Sequence, residues 1–203
     1  MKEYLITSGV LDRPRKLVLA ESHLEYENWD LRGQEFTRLE KSDIIDFKHG
    51  TDSIVWYKLV VGRQYAVALK AKNNRELSIH FDSYFGLHKG NKQKYADIVG
   101  SIWKLYHSDI VDAFLDGFYN GMEAKAQGIV LKTEGIELKG GQRLVPWDKV
   151  AIKEYYGYFA IYHQGDSTIH STVSNSEYGA ETLWSAVATI LKTRGMNASQ
   201  QQL

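Results

Sequence analysis

"GIVLKTEGIELKG", residues 128–140, nearly repeats "KLVLAESHLEYEN", residues 16–28. At one constant offset Leu17 falls on Ile129, Val18 on Val130, Leu19 on Leu131, Leu24 on Ile136, Glu25 on Glu137 and Tyr26 on Leu138. The apolar positions coincide, and each copy reads as two short strands of period two joined by a tight turn. A second pair, "LEKSDIIDF" (39–47) and "VPWDKVAIK" (145–153), corresponds at a slightly shorter offset. Solenoid units span roughly 20 to 50 residues, so a period this long marks a duplicated domain rather than an array.

Working outward from the first copy, strands are expected near 16–20, 23–28, 34–39, 43–48 and 54–61. A hairpin then follows. Tyr65, Val67, Leu69 and Ala71 alternate, Asn73 and Asn74 suit the positive φ of a tight turn, and Leu77, Ile79 and Phe81 resume the alternation. Tyr95, Ile98, Val99, Ile102, Trp103, Leu105 and Tyr106 are spaced by three and four, which predicts an amphipathic helix over about 91–107. Ile110, Val111, Phe114, Leu115 and Phe118 carry the spacing on, either in the same helix or in a new one capped by Ser108. Gly117 and Gly121 are stop signals, and "NGMEAKAQG" reads as a linker.

The second copy is shorter, with strands expected near 128–133, 135–139, 142–145, 149–156, 158–163 and 167–173. A helix from Ser176 places Leu183, Trp184, Val187, Ile190 and Leu191 on one face. The expected organisation is a first domain over 1–121, a second over 122–195 and a polar, frayed tail over 196–203. The fold class is mainly β, with each set of strands closed by its own C-terminal amphipathic helix. Trp103 and Trp184 are the expected plug residues, because large aromatics at helical spacing are usually core.

Composition bounds the function. The chain has 203 residues with 25 basic and 25 acidic side chains, so no global field draws it toward nucleic acid or anionic lipid. Cysteine is absent, which removes disulfide scaffolds, thiolate metal sites and cysteine nucleophiles together. No apolar run approaches the ~18 residues that a membrane span needs, and the start lacks a signal-peptide core. A cytoplasmic protein is expected, with peripheral membrane contact left open.

Short strands closed by one C-terminal helix resemble the pleckstrin-homology-like fold. The stretch "GIVLKTEGIELKGGQRLVPWDKVAIKEYYGYFAIYHQ" is similar to small bacterial domains of that class, with Val145, Pro146, Trp147 and Val150 filling an apolar-Pro-Trp-x-x-apolar passage. The resemblance covers most of 127–193 and, less cleanly, 4–107. It implies two β-barrel or sandwich domains that bind headgroups, peptides or proteins rather than catalyse. The phosphoinositide-binding members carry basic residues around their first turn. Here those turns, "AESH" (20–23) and "KTEG" (132–135), hold Glu21 and Glu134, so the resemblance argues against that ligand.

Two stretches are candidate contact surfaces. In "YYGYFAIYH" (155–163), Tyr156, Tyr158, Ala160 and Tyr162 are expected on one sheet face and Tyr155, Phe159, Ile161 and His163 on the other. Surplus tyrosines suit partner anchoring, since each offers a large rigid area with one hydrogen-bonding tip. In "SIVWYKLVVGRQY" (53–65), Trp56 and Tyr57 lie on an expected strand that is apolar on both faces. Contact with the second domain, with a partner or a second copy, or with the helix over 108–119 would cover it. Basic clusters at Arg13, Arg15 and Lys16, at Lys70, Lys72 and Arg75, and at Lys89, Lys92 and Lys94 are interspersed with carboxylates, which disfavours nucleic acid. The seven histidines show no metal-ligand spacing, and no G-x-S-x-G elbow or phosphate-binding loop is present. The expectation is a non-catalytic interaction module without cofactor or metal, binding a protein or itself. A carrier or sensor of an apolar small molecule or membrane lipid is the alternative.

Overall fold

A computed structural model describes residues 1–9, 12–27, 36–84, 90–140, 143–155 and 157–196. The chain divides into two compact units, Met1–Ser108 and Asp109–Leu203.

In the first unit, β1 (Lys2–Ile6), β2 (Arg15–Leu19), β3 (His23–Glu27) and β4 (Phe36–Glu40) form an antiparallel meander. A three-residue 3₁₀ turn, Lys41–Asp43, leads into a second sheet of β5 (Ile44–Trp56), β6 (Leu59–Ala71) and β7 (Glu76–Tyr84). Helix α1 (Asn91–Ile102) follows and passes through five residues of π-helical backbone, Trp103–His107. The second unit opens with α2 (Ser108–Tyr119) and then repeats the plan. A meander of β8 (Ala124–Ala126), β9 (Ile129–Lys132), β10 (Gly135–Glu137) and β11 (Leu144–Pro146) precedes a 3₁₀ turn, Trp147–Lys149. A sheet of β12 (Val150–Tyr155), β13 (Tyr158–His163) and β14 (Asp166–Ser174) comes next, and α3 (Ala180–Thr193) closes it. Each unit thus holds a four-stranded and a three-stranded sheet. Among the described residues no strand pairing joins the two into a closed barrel.

The sequence repeat persists in hydrogen-bond register. Val18 lies opposite Glu25 and Leu19 opposite Leu24, while Val130 lies opposite Glu137 and Leu131 opposite Ile136. A one-residue slip would turn every apolar side chain outward, so the shared pattern enforces the shared register. Gly135 is required by this arrangement, because a Cβ there would lie 2.2 Å from the Val145 carbonyl oxygen.

Each helix closes its own strands. In the first unit Ile98 and Ile102 are fully buried, as are Leu17, Leu24, Leu69 and Ile79 from the sheets. Burial of each such side chain stabilises by about 1.5 to 3 kcal/mol. Asp97 of α1 receives Lys2 Nζ and the Tyr4 hydroxyl of β1, both at 2.6 Å. The Tyr106 hydroxyl lies 2.7 Å from the Ala20 carbonyl and 2.8 Å from that of His23, at the β2–β3 turn. In the second unit Leu183, Val187, Ile190 and Leu191 of α3 join Ile129, Ile136, Phe159 and Ile161 in one core. Trp147 Nε1 donates to the Lys132 carbonyl at 2.9 Å, and Arg194 Nη2 donates to that of Thr133 at 3.0 Å. By the repeat, Lys132 is the counterpart of Ala20, so each unit pins the same turn with an aromatic donor.

Several expectations need correction. The strand expected over 54–61 is a hairpin: the chain reverses at Tyr57 and Lys58, and β5 and β6 absorb the segments predicted as separate strands. No glycine, asparagine or aspartate marks that turn, which is why periodicity alone ran through it. The linker reading of "NGMEAKAQG" fails because Ala124–Ala126 pairs with β9 as an edge strand. The domain boundary expected at 121/122 lies at 108/109, since Val111, Leu115 and Phe118 of α2 pack into the second core. Helical backbone does run from Asn91 to Tyr119. Trp103 is no plug: it is 40% exposed, and Tyr106 and His107 are the buried residues of that turn. Trp184 is partly buried and meets Phe159 edge-on at 5.2 Å. The final helix starts at Ala180, after Gly179 at φ 83°, rather than at Ser176. Of the tail expected over 196–203, Met196 packs against the second core, and the rest lies outside the described residues.

Candidate functional site

The β5–β6 hairpin extends past the last described rung of its sheet. Among the described residues that last rung with β7 is Gly62 opposite Tyr84; beyond it, Val55 pairs with Val60 and Trp56 with Leu59. Gly62 permits that junction, because a Cβ would lie 2.3 Å from the Ser83 carbonyl oxygen. A register shift between Ile54 and Val55 leaves Val61 as the extra residue of a bulge, and Val61 is buried. Bulges bend a ribbon and re-aim its side chains. Past this bulge nothing apolar is covered. Val55 is 57% exposed, Trp56 65%, Tyr57 89%, Leu59 71% and Val60 67%.

Successive rungs of an antiparallel ribbon point to opposite faces, so Val55 and Val60 occupy one face and Trp56 and Leu59 the other. Tyr57 stands at the apex with φ 57°, and its ring centroid is 5.7 Å from that of Trp56. A bulky side chain in the left-handed region is a genuine outlier, and such strain concentrates where a site holds a residue for use.

Both sequence-predicted residues of this stretch, Trp56 and Tyr57, therefore sit together at one hairpin tip. The apolar face of α2 packs in the second core through Val111, Leu115 and Phe118.

In the second unit the equivalent hairpin, β12–β13, is short. Tyr155 and Tyr158 form its closing pair, their rings stacked at 4.8 Å with an interplanar angle of 10°. Lys153 Nζ lies 5.3 Å from the Tyr155 centroid. These side chains, with Tyr162, His170 and Thr172, line an open groove of ≈ 390 Å³ on the sheet face opposite Phe159 and Ile161. The expected faces are corrected accordingly: Tyr155 joins Tyr158 and Tyr162, because the turn before Tyr158 carries the chain back with the two tyrosines directly opposed. Tyr156, the third expected contact residue of this face, lies outside the described residues. Cross-strand pairing across a two-residue turn was the signal that would have placed Tyr155 correctly.

The first basic cluster is spent on structure. Arg13 pairs with Glu27 at 2.6 Å, the buried Arg15 with Asp12 at 3.0 Å and Lys16 with Glu3 at 2.9 Å. The Arg13 guanidinium, then the Lys16 N–H, hold the Glu27 carboxyl below its usual range. Lys94 Nζ donates to the Leu5 carbonyl, and burial lowers its pKa. Lys89 lies outside the described residues. At the second unit's first turn Lys132 is paired with Glu137 at 2.6 Å, beside an open groove of ≈ 520 Å³ that also presents Glu123 and Glu134. His163 accepts the Gly165 N–H, and His170 contacts the Ser167 carbonyl. Among the described residues no three histidine or carboxylate side chains converge as a metal-holding group, and no helix is long and apolar enough to cross a membrane.

No protein-family model matches the chain, and no curated protein matches it.

Proposed function

We propose that each unit is a pleckstrin-homology-like domain and that the chain is a non-catalytic interaction module that engages its partner through the β5–β6 tip. One observation carries this reading: Val55, Trp56, Tyr57, Leu59 and Val60 are all displayed to solvent at the end of one ribbon. Contiguous exposed apolar surface on a soluble chain marks a contact site. Trp and Tyr are also the side chains that dominate binding hot spots.

The fold reading is supported by the order of elements: four strands, a 3₁₀ turn, three strands and a closing helix occur twice. Val145, Pro146, Trp147 and Val150, which carry the resemblance, lie around the 3₁₀ turn into β12, and this supports the reading. The tyrosine shelf of Tyr155, Tyr158 and Tyr162 is a secondary contact surface on the second unit. A phosphoinositide ligand is disfavoured, because Lys132 is engaged by Glu137 and Glu134 stands beside it. A carrier of apolar molecules ranks lower, since both grooves described above are open and lined in part by charged side chains. The partner surface is macromolecular: a protein, a second copy of this chain or a bilayer, met in the cytoplasm.

The test uses the full chain, wild type and Trp56→Ser/Tyr57→Ser, passed over separated soluble and membrane fractions of the source cells. Light scattering at rising concentration runs in parallel. Retention or self-association that depends on the tip is the expected result. Identical behaviour of the two proteins in every arm would refute the tip as the contact element.

A further inference from the structure

Resting on the reading of the β5–β6 tip as a contact element, we infer that its partner is the headgroup boundary of an anionic lipid bilayer. A shallow protein groove covers one face of a ribbon and leaves the other wet; only an enclosing cleft covers both. This tip has no wet face, because Val55 and Val60 line one side and Trp56 and Leu59 the other, with Tyr57 exposed at the apex. A bilayer surrounds what enters it, so two apolar faces are what it demands.

The side-chain chemistry agrees. Trp and Tyr combine an apolar body with a polar tip and concentrate at membrane–water boundaries. Lys58, beside Tyr57 in the turn, has a long apolar stem that lets its ammonium reach a phosphate while the stem stays among acyl chains. The segment "SIVWYKLVVGR" (53–63) carries Lys58 and Arg63 and no carboxylate, which complements an anionic surface although the whole chain is neutral. Depth is set by the backbone. Among the described residues the ribbon beyond Gly62 pairs only with itself, so its outer edges carry N–H and C=O groups that hydrocarbon cannot satisfy. The tip accordingly seats its side chains in the boundary region and stops.

The chain has no cysteine, so Tyr57→Cys provides a unique attachment point for an environment-sensitive fluorophore, with Glu76→Cys on the opposite hairpin end as control. Vesicles of phosphatidylcholine, with and without phosphatidylglycerol, are the probe. The label at 57 is expected to brighten and shift to the blue on the anionic vesicles, and the label at 76 to stay unchanged. Unlabelled protein should co-sediment with them, less as salt is raised. Trp56→Ser/Val60→Ser, folded by circular dichroism, should bind at least about tenfold more weakly.

Absence of binding to the anionic vesicles, or equal binding by the double variant, overturns the inference. Equal binding to phosphatidylcholine alone overturns the anionic surface. Tip-dependent capture of a soluble protein, or tip-dependent self-association, without vesicle binding overturns the bilayer as partner and leaves the tip as a contact element. Loss of tip dependence in every arm overturns both.

Discussion

Replacing Tyr57 by asparagine should make the protein more stable and less able to bind. Tyr57 holds φ 57° at the β5–β6 turn. For an L-residue with a Cβ the left-handed region costs roughly 1 to 2 kcal/mol, and asparagine tolerates it through local hydrogen bonding. The chain provides its own comparison, because the β6–β7 turn places Asn73 at φ 66° and Asn74 at φ 57°. Against the relief stands what the ring gives up. At 89% exposure that is almost no buried area, only the contact with Trp56 at 5.7 Å, worth about 0.5 kcal/mol at such an exposed site.

The balance is a gain of about 0.5 to 1.5 kcal/mol. For a unit of this size a kcal/mol moves the melting midpoint by roughly 4 to 8 °C, so the shift should be upward by roughly 2 to 12 °C. Differential scanning calorimetry reads the midpoint, and co-sedimentation with anionic vesicles reads binding on the same preparations. A gain in stability with a loss of binding is the signature of strain retained for use. A midpoint that stays or falls would refute the reasoning, by showing that the native fold needs the Tyr57 ring.

Tyr106→Phe should destabilise the first unit by about 1 to 3 kcal/mol, because the Ala20 and His23 carbonyls lose the buried hydroxyl between them; the urea midpoint measures it. Burial already pushes the Tyr106 phenol well above its ordinary pKa, so no loss of this contact is expected as pH rises through the usual tyrosine range. On the acid side, Lys2 and then Tyr4 hold the Asp97 carboxyl below its ordinary pKa, so the stability it contributes is complete above the unfolded value of about 3.9 and lost as pH falls through the lower folded one. Asp97→Asn should flatten the stability profile below about pH 4 in acid titrations followed by circular dichroism, while leaving its slope near neutrality unchanged.

What could be read from sequence was set by local periodicity. The repeat between residues 16–28 and 128–140 was legible because strand faces alternate and the buried positions recur: Leu17, Leu19 and Leu24 are fully buried, as are Ile129 and Ile136. The Asn73–Asn74 turn was legible because its chemistry names its dihedrals. The Tyr57–Lys58 turn was not, because neither residue has the side-chain chemistry that marks a turn. For the same reason Trp56 and Tyr57 were recognised as a surplus apolar stretch without their placement at a hairpin apex being recognised. Spacing predicted Trp103 to be core, yet the π-helical segment Trp103–His107 rotates the face that meets the sheet, leaving Tyr106 and His107 inside. The allegiance of α2 was illegible from its own pattern, since amphipathicity shows that a face is buried and not against what.

The two units separate the determinants of closure from those of contact. Closure is repeated: the same register, the same 3₁₀ turn and a pinned carbonyl at Ala20 or Lys132. The hairpin after that turn is where the units part. β12–β13 ends at a stacked Tyr155–Tyr158 pair while still bonded to β14, whose Ser174 lies opposite Tyr158. β5–β6 continues past its last described rung with β7 into a tip whose apolar side chains are exposed. Lengthening a hairpin beyond its sheet adds backbone order and exposed apolar area without adding core, and both effects oppose folding in water. On the proposed reading, the free energy that keeps Trp56, Tyr57 and Leu59 exposed at the end of this ribbon comes from the surface the tip contacts.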